Sequence, residues 1–273
     1  TLPKGAAGKV PAVVLISGSG AQDRDSAIPG IAGYRPFRQI ADTLSRRGIA
    51  VLRLDDRGVG GSGPVILTTT SADLAADVRT ALAWLRTRPE IDGKKLGLIG
   101  HSEGAIIAPM VAVEEPSVHA VVLIAGSAEP GRAIVEAQNR YLLERAGHHG
   151  AKLDSLLAEA MTKVDSLAAE MPWYGYFIRY DPLPTARRLR VPALVLQGAT
   201  DRQVPAAQAE ALAAAIRQGG ERDVTQRIFP DLNHLLLPDP SGDPLAYTTL
   251  RDTKVPAEVL GVLADWVAAK LGR

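Results

Sequence analysis

Short, mostly apolar runs alternate along the chain with longer stretches in which apolar residues recur every three or four positions. Apolar runs rich in Val, Ile and Leu are typical of strands that are buried on both faces of a sheet. They predict strands at residues 12–16, 50–54, 96–99, 120–124, 193–196 and 224–229. The stretches between them predict helices at 37–47, 72–86, 105–113, 206–217 and 257–271. This alternation favours an α/β fold, with a mostly parallel sheet flanked by helices.

The alternation is interrupted between about residues 131 and 181. Amphipathic patterns at 133–145 and 153–169 predict two helices with no strand between them. We interpret 131–181 as a helical cap inserted into a catalytic domain made of residues 1–130 and 182–273. The segment Asp181-Pro182-Leu183-Pro184 would be the exit from this cap, because proline disfavours helix at and before its own position.

Aromatic residues make up only 4% of the chain, yet four of them lie together near the end of the predicted cap. These are Trp173, Tyr174, Tyr176 and Phe177. They would either fasten the cap to the catalytic domain or line a substrate pocket, since such pockets are mostly apolar with few polar groups. We keep all four as candidate pocket residues.

Length, charge and composition narrow the class of protein. A chain of 273 residues with 46% hydrophobic residues can form one large core, so a single catalytic domain is expected. Its net charge is +1 and it has no basic block, which argues against nucleic acid as a partner. Without cysteine there is no disulfide and no cysteine nucleophile. The sequence does not indicate an oligomeric state.

The sequence leaves the compartment open. No apolar stretch approaches the roughly 18 to 20 residues that span a bilayer, so no membrane span is expected. The numbering begins at Thr1 rather than at Met, which is compatible with a leader removed beforehand. Cytoplasmic and exported locations are both consistent with these observations.

The pentapeptide Gly100-His101-Ser102-Glu103-Gly104 lies between a predicted strand and a predicted helix. This G-x-S-x-G pattern in a strand-turn-helix context is typical of a nucleophile elbow. Ser102 is therefore the candidate nucleophile. A serine hydroxyl is weakly nucleophilic at neutral pH, so it needs a base, a group that orients the base, and donors for the developing oxyanion.

An acid and a base are expected farther along the chain, each just beyond the end of a later strand. Asp201 follows the predicted strand 193–196, and His234 follows the strand 224–229. Asp201 could instead cap a helix that starts near Pro205. Asp223 and Asp231 are weaker alternatives for the acid. The other histidines, His101, His119, His148 and His149, all precede the acid and are not expected to be the base.

Backbone N–H groups are the expected oxyanion donors. One should come from Glu103, the residue after the nucleophile, and the other from the loop that starts at Ser17. Within that loop we favour Ser19, with Gly20 as the alternative, because glycine lets the backbone approach a substrate closely. Since the donors are backbone groups, replacing the side chain of Glu103 or Ser19 should cost much less activity than replacing Ser102.

Two Asp- and Arg-rich segments, 22–25 and 55–57, follow the first two predicted strands. We expect them to hold the loops of the site through ion pairs and hydrogen bonds. Their spacing is not that of a metal site, so no metal is predicted. The glycines from Gly58 to Gly63 lack the patterns of phosphate and dinucleotide loops, so no nucleotide cofactor is predicted either.

Taken together, these motifs resemble the α/β-hydrolase superfamily, and more closely the bacterial esterase group related to serine aminopeptidases and dipeptidyl-peptidase-like hydrolases. The resemblance covers nearly the whole chain. Beyond the elbow it rests on 17–25, 55–62, Arg179-Tyr180-Asp181-Pro182 and Asn233-His234. It implies a triad of Ser102, Asp201 and His234, no cofactor, and hydrolysis of carboxylic esters. Relatives usually carry an antiparallel hairpin ahead of the segment that starts at Leu2, so we expect that edge of the sheet to be truncated or rebuilt.

Three functional hypotheses follow. The first is a serine carboxylesterase acting on a small-molecule ester with a short acyl chain, because a cap over the site would limit pocket length. The second is peptide or amide hydrolysis by the same triad, with Glu103, Asp23 and Asp25 as possible carboxylates for a substrate amino group. The third is a non-catalytic binding protein on the same scaffold. Chemistry that uses an aspartate nucleophile is disfavoured, because Ser102 occupies the elbow.

Overall fold

Six parallel strands form one sheet in the computed structural model, which describes residues 1–6, 8–64 and 67–272. The strands are β1 (Val10–Ile16), β2 (Ala50–Arg53), β3 (Ile91–His101), β4 (Val118–Ile124), β5 (Ala193–Gly198) and β6 (Val224–Phe229). Their order across the sheet is β2-β1-β3-β4-β5-β6, and each neighbouring pair is parallel. All six overlap the predicted strands, and the carboxyl ends of all six lie at one edge of the sheet.

Helices cover both faces of this sheet. Side chains alternate between the faces along β1, where Ala12 and Val14 pack in one core and Val13 and Leu15 in the other. The first face is covered by α2 (Ser71–Arg86), α3 (Glu103–Ala112) and α8 (Ala207–Gly219), and the second by α1 (Pro36–Arg46) and α9 (Ala257–Leu271). The α/β fold expected from the sequence is confirmed.

A helical insertion lies between β4 and β5. It consists of α4 (Gly131–Arg145), α5 (Gly150–Glu170) and α6 (Pro172–Arg179). These helices share a small core of Val135, Leu157, Met161, Val164, Ala168 and Ile178. The glycines Gly131 and Gly175 allow close packing, because a Cβ there would overlap the carbonyls of Phe177 and Ala168, respectively. The domain limits 131 and 181 stay a prediction, and Ala7, Val65, Ile66 and Arg273 of the predicted catalytic domain lie outside the described residues.

Three short helices form in segments where the sequence predicted no helix, and α6 is the first of them. The expected exit from the cap forms α7 (Pro182–Ala186), whose N-cap Asp181 accepts a hydrogen bond of 3.0 Å from the Leu183 N–H. Proline is compatible with the first turn of a helix, where no N–H partner is needed, so the prolines start this helix instead of preventing it. A 3-10 helix spans Pro244–Thr249. Across the described ranges, no helix is long and apolar enough to cross a membrane.

Strand β2 lies at one edge of the sheet, where a truncated or rebuilt edge was expected. The Thr1 amino group donates to the Val51 carbonyl at 2.9 Å, and the Val51 N–H donates to the Thr1 carbonyl at 2.9 Å. Two reciprocal bonds between one pair of residues are the pattern of an antiparallel ladder. The first residue of the chain thus pairs alongside β2.

Candidate active site

The predicted elbow is a sharp turn between β3 and α3. Ser102 has a φ of 56° and a ψ of −117°, a backbone conformation that is strained for a residue with a side chain. A Cβ at Gly100 would overlap the Gly104 carbonyl, and a Cβ at Gly104 would overlap the Ile16 carbonyl. The two glycines of the motif therefore permit the tight turn that holds Ser102 in its strained conformation.

Asp201 and His234 are brought together from the loops after β5 and β6. Asp201 Oδ2 lies 2.7 Å from His234 Nδ1 and accepts a second hydrogen bond of 2.8 Å from Gln197. Its other oxygen accepts from the N–H groups of Gln203 and Val204, each at 2.8 Å. The Asp201 side chain has no exposed surface. Four donors thus hold this carboxylate against the imidazole.

The alternatives for the acid lie elsewhere. Asp223 pairs with Lys270 on α9 at 2.5 Å, and Asp231 is exposed on the surface. Asp201 does not cap the following helix, because α8 begins at Ala207 with no side-chain cap. Of the three aspartates, Asp201 is the one in contact with His234.

The loop that carries His234 is fixed by buried polar groups. Asn233 is fully buried, and its side-chain oxygen accepts from the N–H groups of Leu235 and Leu237 at 2.9 and 3.1 Å. The Tyr34 hydroxyl donates to the Leu235 carbonyl at 3.1 Å. His101 Nε2 lies 2.9 Å from the His234 carbonyl. These contacts limit movement of the imidazole.

His101 makes the stability of the folded chain depend on pH. Burial is the main cause that lowers the pKa of His101 from 6.5 to about 4, and the neighbouring His234 lowers it further. The unfolded chain therefore takes up this proton before the folded chain does, so stability falls as the pH drops from about 6.5 towards about 4. We expect this group to lower the free energy of unfolding by about 1–2 kcal/mol between pH 7.5 and pH 5.

Urea unfolding of the wild type and of His101→Gln at these two pH values measures this contribution. Glutamine can still donate to the His234 carbonyl but does not titrate, so its loss of stability on acidification should be smaller. Equal losses in the two proteins would contradict the assignment to His101.

The predicted oxyanion loop packs directly against the elbow. A Cβ at Gly18 would lie 3.1 Å from the Ser102 Cβ, so glycine is what allows this approach. Asp56 holds the loop, because it accepts from Ser17 Oγ at 3.0 Å and from the Gln22 N–H at 2.9 Å. Burial raises the pKa of the Asp56 carboxyl, although these hydrogen bonds oppose the change. Ser19, Gly20 and Glu103 line the same cavity as Ser102.

The other charged groups of the two Asp- and Arg-rich segments join these loops to each other, to β2 and to α2. Arg24 pairs with Asp55 at 2.5 Å. Asp25 forms an ion pair with Arg53, and Arg57 pairs with Asp77 at 2.6 Å. Asp23 accepts from the N–H groups of residues 25 and 27, each at 3.0 Å. These side chains thus hold the loops around the site.

A cavity of about 620 Å³ connects Ser102 and His234 with the helical insertion. The insertion contributes residues from α4 and α6 to its wall: Ile134, Val135, Gln138, Asn139, Trp173, Tyr174 and Phe177. Trp173 is stacked against Phe177, with ring centroids 5.6 Å apart and an angle of 15° between the planes. A cavity of this size and apolar character suits a small organic ligand.

Tyr176 requires a correction. It is stacked against Tyr180 at 5.8 Å and lines a separate cavity of about 220 Å³. Trp173, Tyr174 and Phe177 share one face of α6, whereas position 176 points to another face of a helix with 3.6 residues per turn. A count of aromatic residues alone could not make this distinction.

The side chain of Glu103 has a structural environment that the sequence did not indicate. The residue is 2% exposed. Ser71 Oγ donates to its Oε1 at 2.6 Å, and Trp173 Nε1 donates to the same oxygen at 2.9 Å. Replacing Glu103 would therefore remove buried hydrogen bonds with Ser71 and Trp173.

Comparison with known proteins adds to this geometry. Residues 13–246 match the model of the alpha/beta hydrolase family. Esterase EstD of Thermotoga maritima is 30% identical over 274 residues, covering 98% of this chain. The chain spans 64% of that relative's own length.

Solved structures show the same fold at lower identity. The esterase Pf2001 of Pyrococcus furiosus has a TM-score of 0.67 and 18% identity, covering 97% of this chain and 84% of that one. Est1E of Butyrivibrio proteoclasticus has a TM-score of 0.62 and 14% identity, covering 100% of this chain and 94% of that one. The similarity in fold thus covers nearly the whole chain.

Proposed function

The chain belongs to the alpha/beta hydrolase family, and on that premise we propose that it is a serine carboxylesterase acting on small-molecule esters. The observation that carries the proposal is the 2.7 Å contact between Asp201 and His234 at a cavity that Ser102 also lines. An imidazole oriented by a buried carboxylate, at a cavity that is also lined by a serine on a strained turn, suits acyl transfer.

In the proposed reaction, Ser102 Oγ attacks the ester carbonyl while His234 Nε2 takes its proton. The carbonyl oxygen becomes an oxyanion that accepts hydrogen bonds from the N–H groups of Ser19 and Glu103. His234 then protonates the leaving alkoxide, and an acyl-enzyme ester remains on Ser102. Water, deprotonated by His234, attacks this ester, and His234 returns the proton to Ser102 Oγ as the bond between Ser102 and the acyl group breaks and the carboxylic acid is released. Asp201 holds the imidazole orientation and stabilises its charged form.

The relative with 30% identity supports ester cleavage, because it is named an esterase. Family membership alone does not fix a reaction, since one fold serves many chemistries. The substrate class therefore rests on the site itself together with this relative.

The cavity supports small acyl groups. Its volume of about 620 Å³ is shared by both halves of the ester and any water inside it. Helices α4 and α6 form one wall, and the stacked rings of Trp173 and Phe177 lie within it. A long acyl chain would have to displace this wall or leave through the opening.

The carboxylates near the site weigh against recognition of a substrate amino group. Both oxygens of Glu103 lie within hydrogen-bond distance of Trp173, and one also accepts from Ser71. Asp25 is paired with Arg53, and Asp23 accepts two backbone N–H groups of its own loop. Each of the three candidate carboxylates thus already accepts hydrogen bonds from groups of the protein.

We expect short p-nitrophenyl esters to be the best substrates. The test compares acetate, butyrate, octanoate and palmitate esters with an aminoacyl p-nitroanilide, using purified wild-type protein. kcat/KM should be highest for acetate or butyrate, and about tenfold or more lower for palmitate, because each poorly accommodated methylene loses binding free energy.

The other outcomes have definite meanings. Cleavage of the anilide alone would replace the proposal with amide hydrolysis. Cleavage of neither substrate, together with failure of a fluorophosphonate to label Ser102, would favour a non-catalytic binding protein.

A further inference from the structure

Glu103 lies where three helices begin. It is the first residue of α3, and its partners Ser71 and Trp173 are the first residue of α2 and the second of α6. Helix N-termini carry partial positive charge, and both partners are neutral hydrogen-bond donors. This arrangement gives a physical reason for placing a carboxylate at a position that is 2% exposed.

The contact with Trp173 joins the helical insertion to the elbow. Glu103 follows Ser102 directly and would supply one oxyanion donor through its backbone N–H. Trp173 belongs to the cavity wall that the insertion forms, where it stacks with Tyr174 at 5.9 Å and with Phe177 at 5.6 Å. Movement of the indole would therefore shift the aromatic wall relative to the nucleophile.

We propose that Glu103 is a positioning residue that determines acyl-group preference by fixing Trp173, and with it the aromatic wall of the cavity. This inference rests on the esterase function proposed above. The backbone N–H of Glu103 and its side chain then have separate tasks, since the first acts on the oxyanion and the second acts on the cavity wall.

Five variants test the proposal. Glu103→Ala removes the acceptor, and Glu103→Gln keeps one oxygen that can accept from both donors. Trp173→Phe keeps an aromatic ring without the N–H, and the double variant Glu103→Ala/Trp173→Phe tests their coupling. Ser71→Ala removes the other donor of Glu103 without touching the insertion. Glu170→Ala, at an exposed position at the end of α5, is the matched control for loss of a carboxylate.

The expected readout is a change in KM and in chain-length preference. For p-nitrophenyl butyrate, Glu103→Ala and Trp173→Phe should raise KM roughly five- to tenfold, with kcat within about threefold of the wild type. The preference for short esters over octanoate should weaken in both. The double variant should be no worse than either single variant, because both remove the same contact. Glu103→Gln should restore most of the wild-type profile, and Ser71→Ala should leave chain-length preference unchanged.

Two kinetic results would overturn the proposal. One is an additive loss in the double variant. The other is a fall in kcat without any change in KM or chain-length preference, which would place the effect of Glu103 on the elbow rather than on the wall.

A readout that does not depend on catalysis separates this proposal from the proposed function. In a background with Trp84→Phe and Trp266→Phe, Trp173 is the only tryptophan. Acrylamide quenching of its fluorescence should rise at least twofold on Glu103→Ala and little on Glu103→Gln. If the quenching changes as expected but the protein cleaves no ester, the esterase proposal is contradicted. The role of Glu103 in fixing Trp173 is then still supported. Unchanged quenching would contradict the positioning role even in an active esterase.

Discussion

Ser102→Ala is expected to lower kcat for p-nitrophenyl acetate by about 10⁴- to 10⁶-fold. The variant cannot form the acyl-enzyme ester, so only binding and the oxyanion donors remain to assist direct attack by water. The fold should survive, because alanine fits the space of the serine and the same strained turn. The measurement is steady-state hydrolysis together with labelling by a fluorophosphonate probe.

Ser166→Ala is the matched control for this substitution. Ser166 lies on the exposed surface of α5, where its hydroxyl donates to the Thr162 carbonyl at 3.0 Å. Hydrolysis and labelling should match the wild type. Persistent labelling of Ser102→Ala, or a loss of kcat below about tenfold, would remove Ser102 as the nucleophile.

Asp201→Asn is expected to lower kcat by about 10³- to 10⁴-fold. The asparagine amide can donate to His234 Nδ1, which favours the tautomer with its proton on Nε2, where the serine proton should be received. The four groups around Asp201 all donate hydrogen bonds to its carboxylate, and the asparagine NH2 group cannot accept them. We therefore expect the free energy of unfolding to fall by about 1–3 kcal/mol. Steady-state kinetics and urea unfolding measure the two effects separately.

The alternative acids provide the controls. Asp231→Asn and Asp223→Asn should each keep kcat within about threefold of the wild type, because neither side chain contacts the imidazole. Asp223→Asn should lose only the ion pair with Lys270, at a cost of about 0.2–1 kcal/mol. A large loss of kcat in either variant, with Asp201→Asn near normal, would reassign the acid.

Much of the site could be predicted because its main residues follow local patterns. Ser102 comes directly after β3, and Asp201 and His234 lie in the loops that follow β5 and β6. Buried strands are recognisable as apolar runs. Parallel strands bring their carboxyl ends to one edge, so positions far apart in sequence converge there. The strand ends, together with the expected order of nucleophile, acid and base along the chain, therefore favoured Asp201 and His234 over the alternative acids.

The remaining contacts depend on packing that no local pattern encodes. Glu103 meets Ser71 across 32 residues and Trp173 across 70. His101 lies within the elbow motif, yet its contact with the His234 carbonyl requires the loop after β6 to fold back over 133 residues. The prolines of α7 misled the prediction because proline is unfavourable inside a helix but suitable in its first turn. That Tyr176 lines a different cavity from Trp173, Tyr174 and Phe177 becomes visible only once the helices are packed.

The position of the helical insertion has a consequence for chain entropy and sequence variation. Pairing β4 with β5 closes a loop formed by residues 125–192. Each doubling of the length of such a loop raises the entropic cost of closing it by only about 0.6 kcal/mol. Because α4, α5 and α6 share a small core of their own, much of their order is gained locally. Insertions of different length could therefore replace one another between these two strands at low cost to folding. Substrate range could diverge in this way while the nucleophile, acid and base stay on the sheet edge.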